Sequence, residues 1–365
     1  MSTSGSLGER IQALHEKLLD RVPVIDRIAC VLHEPGTDML KTFINSTRVG
    51  VPINGYEFRL RDSVSLSHLA DSGEFRVIDD IPKVVNPDSP HSSWLLEQGY
   101  RSSFTLPMYD MGNFMGLMFF NSMLPDAFTP SRQRDILMYA NLLTMAITTE
   151  REAVRSILNS ANVAREIAKL RDFETGAHLE RMALYSRLIA REVASQYQLS
   201  DEWIEHVFLF APLHDIGKIG IPDVILLKPG RLDPQERAIM ETHVELGLSL
   251  AERVLDRIGV RNMPDSSVMT NIIGGHHEFM DGSGYPQGLS GDAIPIEARI
   301  VTVADIFDAL TSHRPYKEPW TVADALAELA RLEAAGKLDP ACVAALTALS
   351  GEAEHIRDQY PDHED

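Results

Sequence analysis

Thiols, long apolar runs and positive charge are what this 365-residue sequence has little of. Its two cysteines, Cys30 and Cys342, are too few and too far apart for a disulfide framework, and they point to a reducing compartment. No stretch reaches the roughly 18 uninterrupted apolar residues of a membrane helix. The most apolar one, residues 104–120, is broken by Asp110 and Asn113. No secretory signal pattern opens the chain, so a cytoplasmic protein without membrane contact is expected. Lysine and arginine number 34 against 53 acidic residues, a formal net charge of −19. Such a balance excludes a global pull on polymeric nucleic acid or anionic lipid; an anionic ligand has to be met by a local cationic patch or by metal ions. The hydrophobic fraction of 44% is that of ordinary globular protein, and the length fits two domains at ~150 residues each.

What the sequence does have is histidine in company. Residues 272–289, IIGGHHEFMDGSGYPQGL, place His276 and His277 before a turn in which Gly282, Gly284 and Pro286 set the backbone. Upstream, Glu174 and His178 are four apart and share a helical face. An apolar helix over FLFAPLHDIGKIG carries His214 and Asp215 just before Gly217, taken as its terminator, and a buried His-Asp pair is costly unless its charges are satisfied. A metal ion satisfies them, and the Asp215 carboxylate can bridge two cations. Asp233-Pro234-Gln235-Glu236 has the form of a capping box with proline at the first helical position, and the helix it opens carries His243. Asp305 and Asp308 lie three apart on a further helix, with Arg314 and Lys317 beyond its end. Five imidazoles with Glu174, Asp215 and Asp305 exceed the four ligands that close a structural zinc site. A site for two or three metals is the better fit, and imidazole with carboxylate and no thiolate suits iron or manganese as well as zinc. Such a cluster holding a hydroxide is the arrangement for in-line hydrolysis of a phosphoester.

The first half reads differently. Residues 8–22 put Ile11, Leu14, Leu18 and Leu19 on one side of a helix. Residues 27–33 and 39–46 read as strands around an EPGTD turn, residues 101–110 and 114–123 as a second pair around Met111-Gly112, and Thr129-Pro130 as the opening of a closing helix. Leu143, Ile147, Glu150, Val154, Ile157, Ala161, Ala164 and Ala168 then recur in steps of four and three, a heptad-like seam that predicts a helix shared in a parallel homodimer. The acidic end, residues 352–365, is expected to be solvated and mobile.

The order helix, hairpin, connecting segment, hairpin, closing helix, with SSFTLPMYDMGNFMGLMFFNS as its most similar phrase, resembles a GAF domain. HDIGKIGIPDVILLKPG, HHEFMDGSGYPQGL and ADIFDALTSHRPYK resemble the HD-GYP branch of the HD phosphohydrolases, bacterial signalling enzymes that degrade the second messenger cyclic di-GMP. The fold expected is an α+β GAF-like domain with an antiparallel sheet and flanking helices (residues 1–145), joined by a coiled-coil-like helix (146–170) to an all-α HD-type domain (171–350) with an acidic tail (351–365). The HD-GYP resemblance implies His178, His214, Asp215, His243, His276, His277 and Asp305 as metal ligands, and Glu174 as the ligand that admits a third metal. It implies Lys218 as a phosphate-polarising group beside His214 and Asp215, Arg314 and Lys317 as binders of the other phosphate, Asp308 as an acceptor for guanine, and Tyr285 as a contact to substrate or to a signalling partner. The activity implied is hydrolysis of cyclic di-GMP to linear pGpG, under control of the GAF domain, with the onward step to GMP left open by the ligand set. A silent cyclic di-GMP receptor and a phosphohydrolase for another nucleotide are the alternatives.

Overall fold

Strand propensity in the first half is spent on one sheet. The structure, a computed structural model, describes residues 6–86, 90–168, 176–259, 266–313 and 318–362, without the side chains of residues 90 and 161–168. Contacts divide the chain between Glu152 and Ala153, with Ser200–Glu202 grouped with the first unit. In that unit β1 (Arg27–Glu34), β2 (Met39–Thr47), β3 (Glu57–Arg59), β4 (Arg76–Ile78), β5 (Ser102–Asp110) and β6 (Asn113–Ser122) form an antiparallel sheet in the order β3-β2-β1-β6-β5-β4. The helices are α1 (Leu7–Leu19), α2 (Val64–Ser72), α3 (Ile81–Val84), α4 (Pro90–Glu97) and α5 (Pro130–Ala168). This is the α+β arrangement of sheet and flanking helices that the sequence predicts. Ser6 and Glu9 close a capping box on α1, and the β5–β6 turn has positive φ at both Met111 (47°) and Gly112 (82°), as a tight hairpin with right-handed strand twist requires.

Period-two alternation divides this sheet. Ile28, Cys30, Phe104, Leu106, Met118 and Phe120 face one way, into a core with Leu7, Ile11, Leu14 and Leu18 of α1 and Ile136, Leu143 and Ile147 of α5. On the other face Arg27, Ser103, Thr105 and Asn121 are polar although buried, beside an apolar patch of Leu40, Leu117 and Phe119.

The second unit is helical: α6 (Gly176–Tyr197), α7 (Asp201–Phe210), α8 (Asp223–Leu226), α9 (Pro234–Glu241), α10 (His243–Ile258), α11 (Ser266–Gly275), α12 (Ile296–Thr311), α13 (Val322–Ala334), α14 (Pro340–Ala348) and α15 (Ser350–Gln359). Its core gathers Tyr185 and Ile189 of α6, Phe210, Ile272, Phe307 and Leu346 around the buried centre of α12. Among the described residues no helix is long and apolar enough to cross a membrane.

Three expectations are corrected here. His214 and Asp215 do not continue an α-helix. Helix α7 stops at Phe210 because Pro212 has no N–H to donate and its ring crowds the preceding turn, and the pair sits between two short 3-10 turns, Ala211–Leu213 and Ile216–Gly220. The heptad seam is not an open face, since Leu143 and Ile147 are buried in the first core, Val154 and Ile157 in the second, and Glu150 is buried in an ion pair with Arg10. Ala161, Ala164 and Ala168 have no described side chain. The acidic end is not simply solvated: α15 buries Ala353, and Asp362 accepts from the Arg181 guanidinium (3.0 Å) and the His313 N–H (2.9 Å).

Candidate metal centre

Five backbone elements bring the ligand-type side chains together. His178 stands in the first turn of α6. His214 and Asp215 occupy the break after α7. The Asp233–Glu236 capping box forms as predicted, but the helix it opens, α9, ends at Glu241 and does not carry His243, which opens the next helix, α10. His276 and His277 follow the last residue of α11, and Asp305 faces inward from α12. Gly217 is what lets α10 approach. A Cβ there would lie 1.8 Å from the His243 carbonyl oxygen and 2.4 Å from the Gly247 nitrogen, so its role is close backbone contact and not helix termination.

The donors fall into two groups, Asp215 with His243, His276 and His277, and His178 with His214 and Asp305; within each group the ligand atoms lie within 4.8 Å of one another. Asp215 links them. Its Oδ1 is 3.0 Å from His243 Nε2 and 3.7 Å from His276 Nε2, and its Oδ2 is 3.2 Å from His214 Nε2 and 2.7 Å from Lys218 Nζ. His214 Nε2 lies 3.9 Å from Asp305 Oδ1.

The far side of four of the five imidazoles fixes the tautomer. Nδ1 of His214 donates to the Ala211 carbonyl (2.9 Å), that of His243 to Met240 (2.8 Å), that of His276 to Ile272 and Ile273 (3.1 Å each), and that of His178 to the Asp308 carboxylate (2.7 Å). A proton held on Nδ1 leaves Nε2 with a lone pair aimed at the cluster. Asp215 Oδ1 is sealed from solvent and accepts no hydrogen bond. Lone pairs converging on a buried carboxylate oxygen repel one another unless a cation stands among them, so these residues fit divalent metal ions.

Electrostatics agree with the geometry. Burial lowers His276, and it lowers His277 to about 2 with His276 adding to the effect, so both are neutral ligand-ready imidazoles near pH 7. Burial pushes Asp215 up, but Lys218 and His214 outweigh it and hold the carboxyl well below the usual range.

The loop after the histidine pair folds back on it. Gly284 packs where a Cβ would be 2.4 Å from the His277 oxygen and 2.5 Å from Glu278 Cα; Gly282 takes φ of +79°, and Tyr285-Pro286 is cis. The Tyr285 ring lies 4.7 Å from the His277 ring and 6.4 Å from that of His243. Burial raises its hydroxyl above the usual tyrosine range.

Residues 162–342 match the family model described as HD domain. The chain carries an HD domain. Two curated relatives match across it: a cyclic di-GMP phosphodiesterase response regulator of Xanthomonas campestris, 44% identical over 63% of this chain and 56% of its own length, and a 3′3′-cGAMP-specific phosphodiesterase 2 of Vibrio cholerae, 42% identical over 50% of this chain and 31% of its own. The chain thus spans less than two thirds of the length of either. Among solved structures, the GAF domain from a phosphoenolpyruvate-protein phosphotransferase of Coxiella burnetii aligns with 41% of this chain and 87% of its own at TM-score 0.34 and 14% identity.

Within the HD domain one assigned role is corrected. Asp308 is buried and its carboxylate is taken by His178, by Arg181 (2.6 and 3.1 Å) and by the Ser312 hydroxyl (3.0 Å), which leaves it no place for guanine. Burial pushes it up, yet His178 and Arg181 bring it down to about 2. Arg181 was missed by the sequence reading. A lone arginine in a helix carries no motif, and the only signal is its position three residues after His178, one turn along the same face. Glu278 was also missed: buried beside His277, it accepts the N–H groups of Gln287 (2.7 Å) and Leu289 (2.9 Å) and so ties down the far side of the loop. Two further histidines are structural, His206 stacked on Phe210 and His313 bonded through its backbone to Asp362. Glu174, Arg314 and Lys317 lie outside the described residues.

Proposed function

We propose that this protein is a metal-dependent phosphodiesterase that hydrolyses cyclic di-GMP to linear pGpG. The observation that carries the reading is the buried, unbonded Asp215 Oδ1 among imidazoles whose Nδ1 protons are committed elsewhere. His178, His214, Asp215, His243, His276, His277 and Asp305 are the proposed ligands, with Glu174 as the ligand of a third ion, and iron is the first choice over manganese and zinc for an imidazole and carboxylate set. Bound cations would supply Lewis acidity and a water of lowered pKa.

The chain's own residues supply the rest. Asp215 spans the two ligand groups with its two oxygens. Lys218, 2.7 Å from Asp215 Oδ2, keeps that carboxylate ionised and brings a positive charge to the edge of the cluster, where it orients an oxygen of the scissile phosphate. Tyr285 offers a ring and a protonated hydroxyl beside His277 to substrate or partner. Arg314 and Lys317 are assigned the second phosphate by the HD-GYP resemblance. Similarity to a 3′3′-cGAMP-specific relative favours a second reading, in which one guanine is replaced by adenine.

The deciding experiment is metal analysis of anaerobically purified protein, then incubation with cyclic di-GMP and with 3′3′-cGAMP and chromatography of products. Linear dinucleotide that forms with the wild type and is lost with Asp215→Asn or His214→Ala supports the reading. Full turnover by metal-depleted protein sinks the metal role, and return of bound nucleotide uncleaved makes the protein a receptor. Regulation by the N-terminal unit and a homodimer are further parts of the proposal. With the seam buried from Leu143 to Ile157, the face that the described residues offer to a partner is the exposed stripe Met138, Leu142 and Met145 of α5, and sedimentation of a Met138→Glu, Met145→Glu variant as a monomer is the expected result.

A further inference from the structure

The loop that carries Tyr285 is fastened on two sides, and one of them lies away from the metal centre. On the inner side the Tyr285 N–H donates to the His277 carbonyl (3.1 Å), and Glu278 takes the N–H groups of Gln287 and Leu289. On the outer side the loop meets the turn between α13 and α14. That turn is a helix stop written into the sequence. Gly336 takes a left-handed φ of 76°, its N–H donates to the Glu333 carbonyl (2.8 Å), and the Lys337 N–H donates to that of Leu332 (3.0 Å), the paired bonds that end a helix on glycine. The stop delivers Lys337 to the loop at a fixed place.

Lys337 makes three contacts there. Its carbonyl accepts the Met280 N–H (2.9 Å), its ammonium lies 4.7 Å from the centre of the Phe279 ring, and the same nitrogen donates to the Ser283 hydroxyl (3.2 Å). Phe279 packs against the helical core, so the ring under the ammonium is a fixed platform. Ser283 is held a second time by Asp281, whose carboxylate accepts its N–H (2.9 Å) and is kept below the usual range by Ser283 first, with Lys337 adding to the effect. Gly284, pressed against His277 and Glu278, follows directly, and Tyr285 comes next with its ring 4.7 Å from that of His277. One half-buried ammonium therefore ties the root of the loop to the residue two before Tyr285. A lysine that served solubility alone would extend into water.

We infer that Lys337 is a positioning residue for substrate: it holds the outer limb of the loop so that Tyr285 stays against His277. The inference rests on the reading of Tyr285 as a substrate contact given above. A loop released at Ser283 keeps its inner bonds but spends part of its time with Tyr285 displaced, and apparent affinity falls with the fraction of competent loop. Saturating substrate restores that fraction, so KM changes and kcat does not. Lys337 contacts the loop and no proposed metal ligand, so metal content stays as it is.

The test compares full-length wild type, Lys337→Met and Lys337→Arg in steady-state hydrolysis of cyclic di-GMP, in metal content and in amide hydrogen exchange of the loop. Lys337→Met should speed exchange at Ser283 and Tyr285 about three- to tenfold, the range expected of one cation–ring contact with one hydrogen bond. KM should rise by at least about twofold and by no more than the exchange does, because only the open fraction is lost to binding. Metal content, melting temperature and kcat should stay at the wild-type level. Lys337→Arg keeps a cation over the Phe279 ring and should stay near wild type throughout. In a Tyr285→Ala background Lys337→Met should leave KM where Tyr285→Ala puts it, since it acts through that ring. Exchange and KM unchanged in Lys337→Met, metal or kcat lost together with KM, an arginine no better than methionine, or a full KM effect in the absence of Tyr285 each overturns the inference. Wild-type protein that leaves cyclic di-GMP uncleaved overturns the proposed function instead, and Kd for the uncleaved nucleotide then stands in place of KM for Lys337.

Discussion

Asp308 and Asp305 differ by one helical turn and by their whole chemistry. Asp305 meets His214 in the cluster, whereas Asp308 stands behind His178 and is held by Arg181. Asp308 is therefore a positioning residue. Asp308→Asn should leave every proposed ligand in place yet lower metal affinity about 10–100-fold, the usual cost of losing a ligand's outer hydrogen-bond partner, and metal stoichiometry at limiting metal measures it. Unchanged affinity would mean that Arg181 alone fixes His178. In the first unit His91 gives a pH signature. Its folded pKa of about 4 lies below the unfolded value near 6.5, so the native state binds fewer protons than the unfolded one between those values. Its contribution is complete above about pH 6.5 and is lost as pH falls toward 4. Calorimetry from pH 7 to 4 should show the wild type losing melting temperature faster than His91→Gln, with Arg27, Arg76 and Tyr56 as the groups facing the ring.

At the scale of elements, the site depends on where helices stop and on how closely they approach. Pro212 ends α7 and frees His214 and Asp215 from helical geometry, so that both can turn toward the same point. Gly217 then admits α10. Gly217→Ala should force the His243–Gly247 backbone away, at an overpacking cost on the order of 1–3 kcal/mol or more, seen as a lowered melting temperature together with metal content lost from the group that contains His243. Retained metal and stability would show that the backbone there yields easily. Gly284 has the same role against His277 and Glu278, and the loop it admits is closed at the other end by Glu278.

For the whole molecule, the metal centre joins α6, the α7 break, α10, the end of α11 and α12, elements far apart in sequence. Ions bound there stabilise the folded state by mass action, since the unfolded chain has no such site. Chelation should lower the melting temperature of the HD domain and leave the N-terminal unit's transition in place, and calorimetry with and without chelator reads both. A common shift of both transitions would show that the two units unfold together.

The sequence by itself determined what is local or periodic. Strand-like runs around turn residues gave β1, β2, β5 and β6 though not the three-residue β3 and β4, capping residues gave the starts of α5 and α9, and histidines set beside acids and glycines marked a site before any contact was known, because these signals are written within a few residues. Tertiary structure alone decided which side chain faces which. Asp308 looked like Asp305 in sequence and became a support; Arg181 and Glu278 carried no motif and became supports too; the seam of α5 looked open and, from Leu143 to Ile157, was filled from within the chain. Arg27, Ser103, Thr105 and Asn121 became one polar row by strand register, which pairs residues up to 94 positions apart. A side chain's partner across a core or a sheet depends on packing over long sequence separations, and no local pattern encodes that.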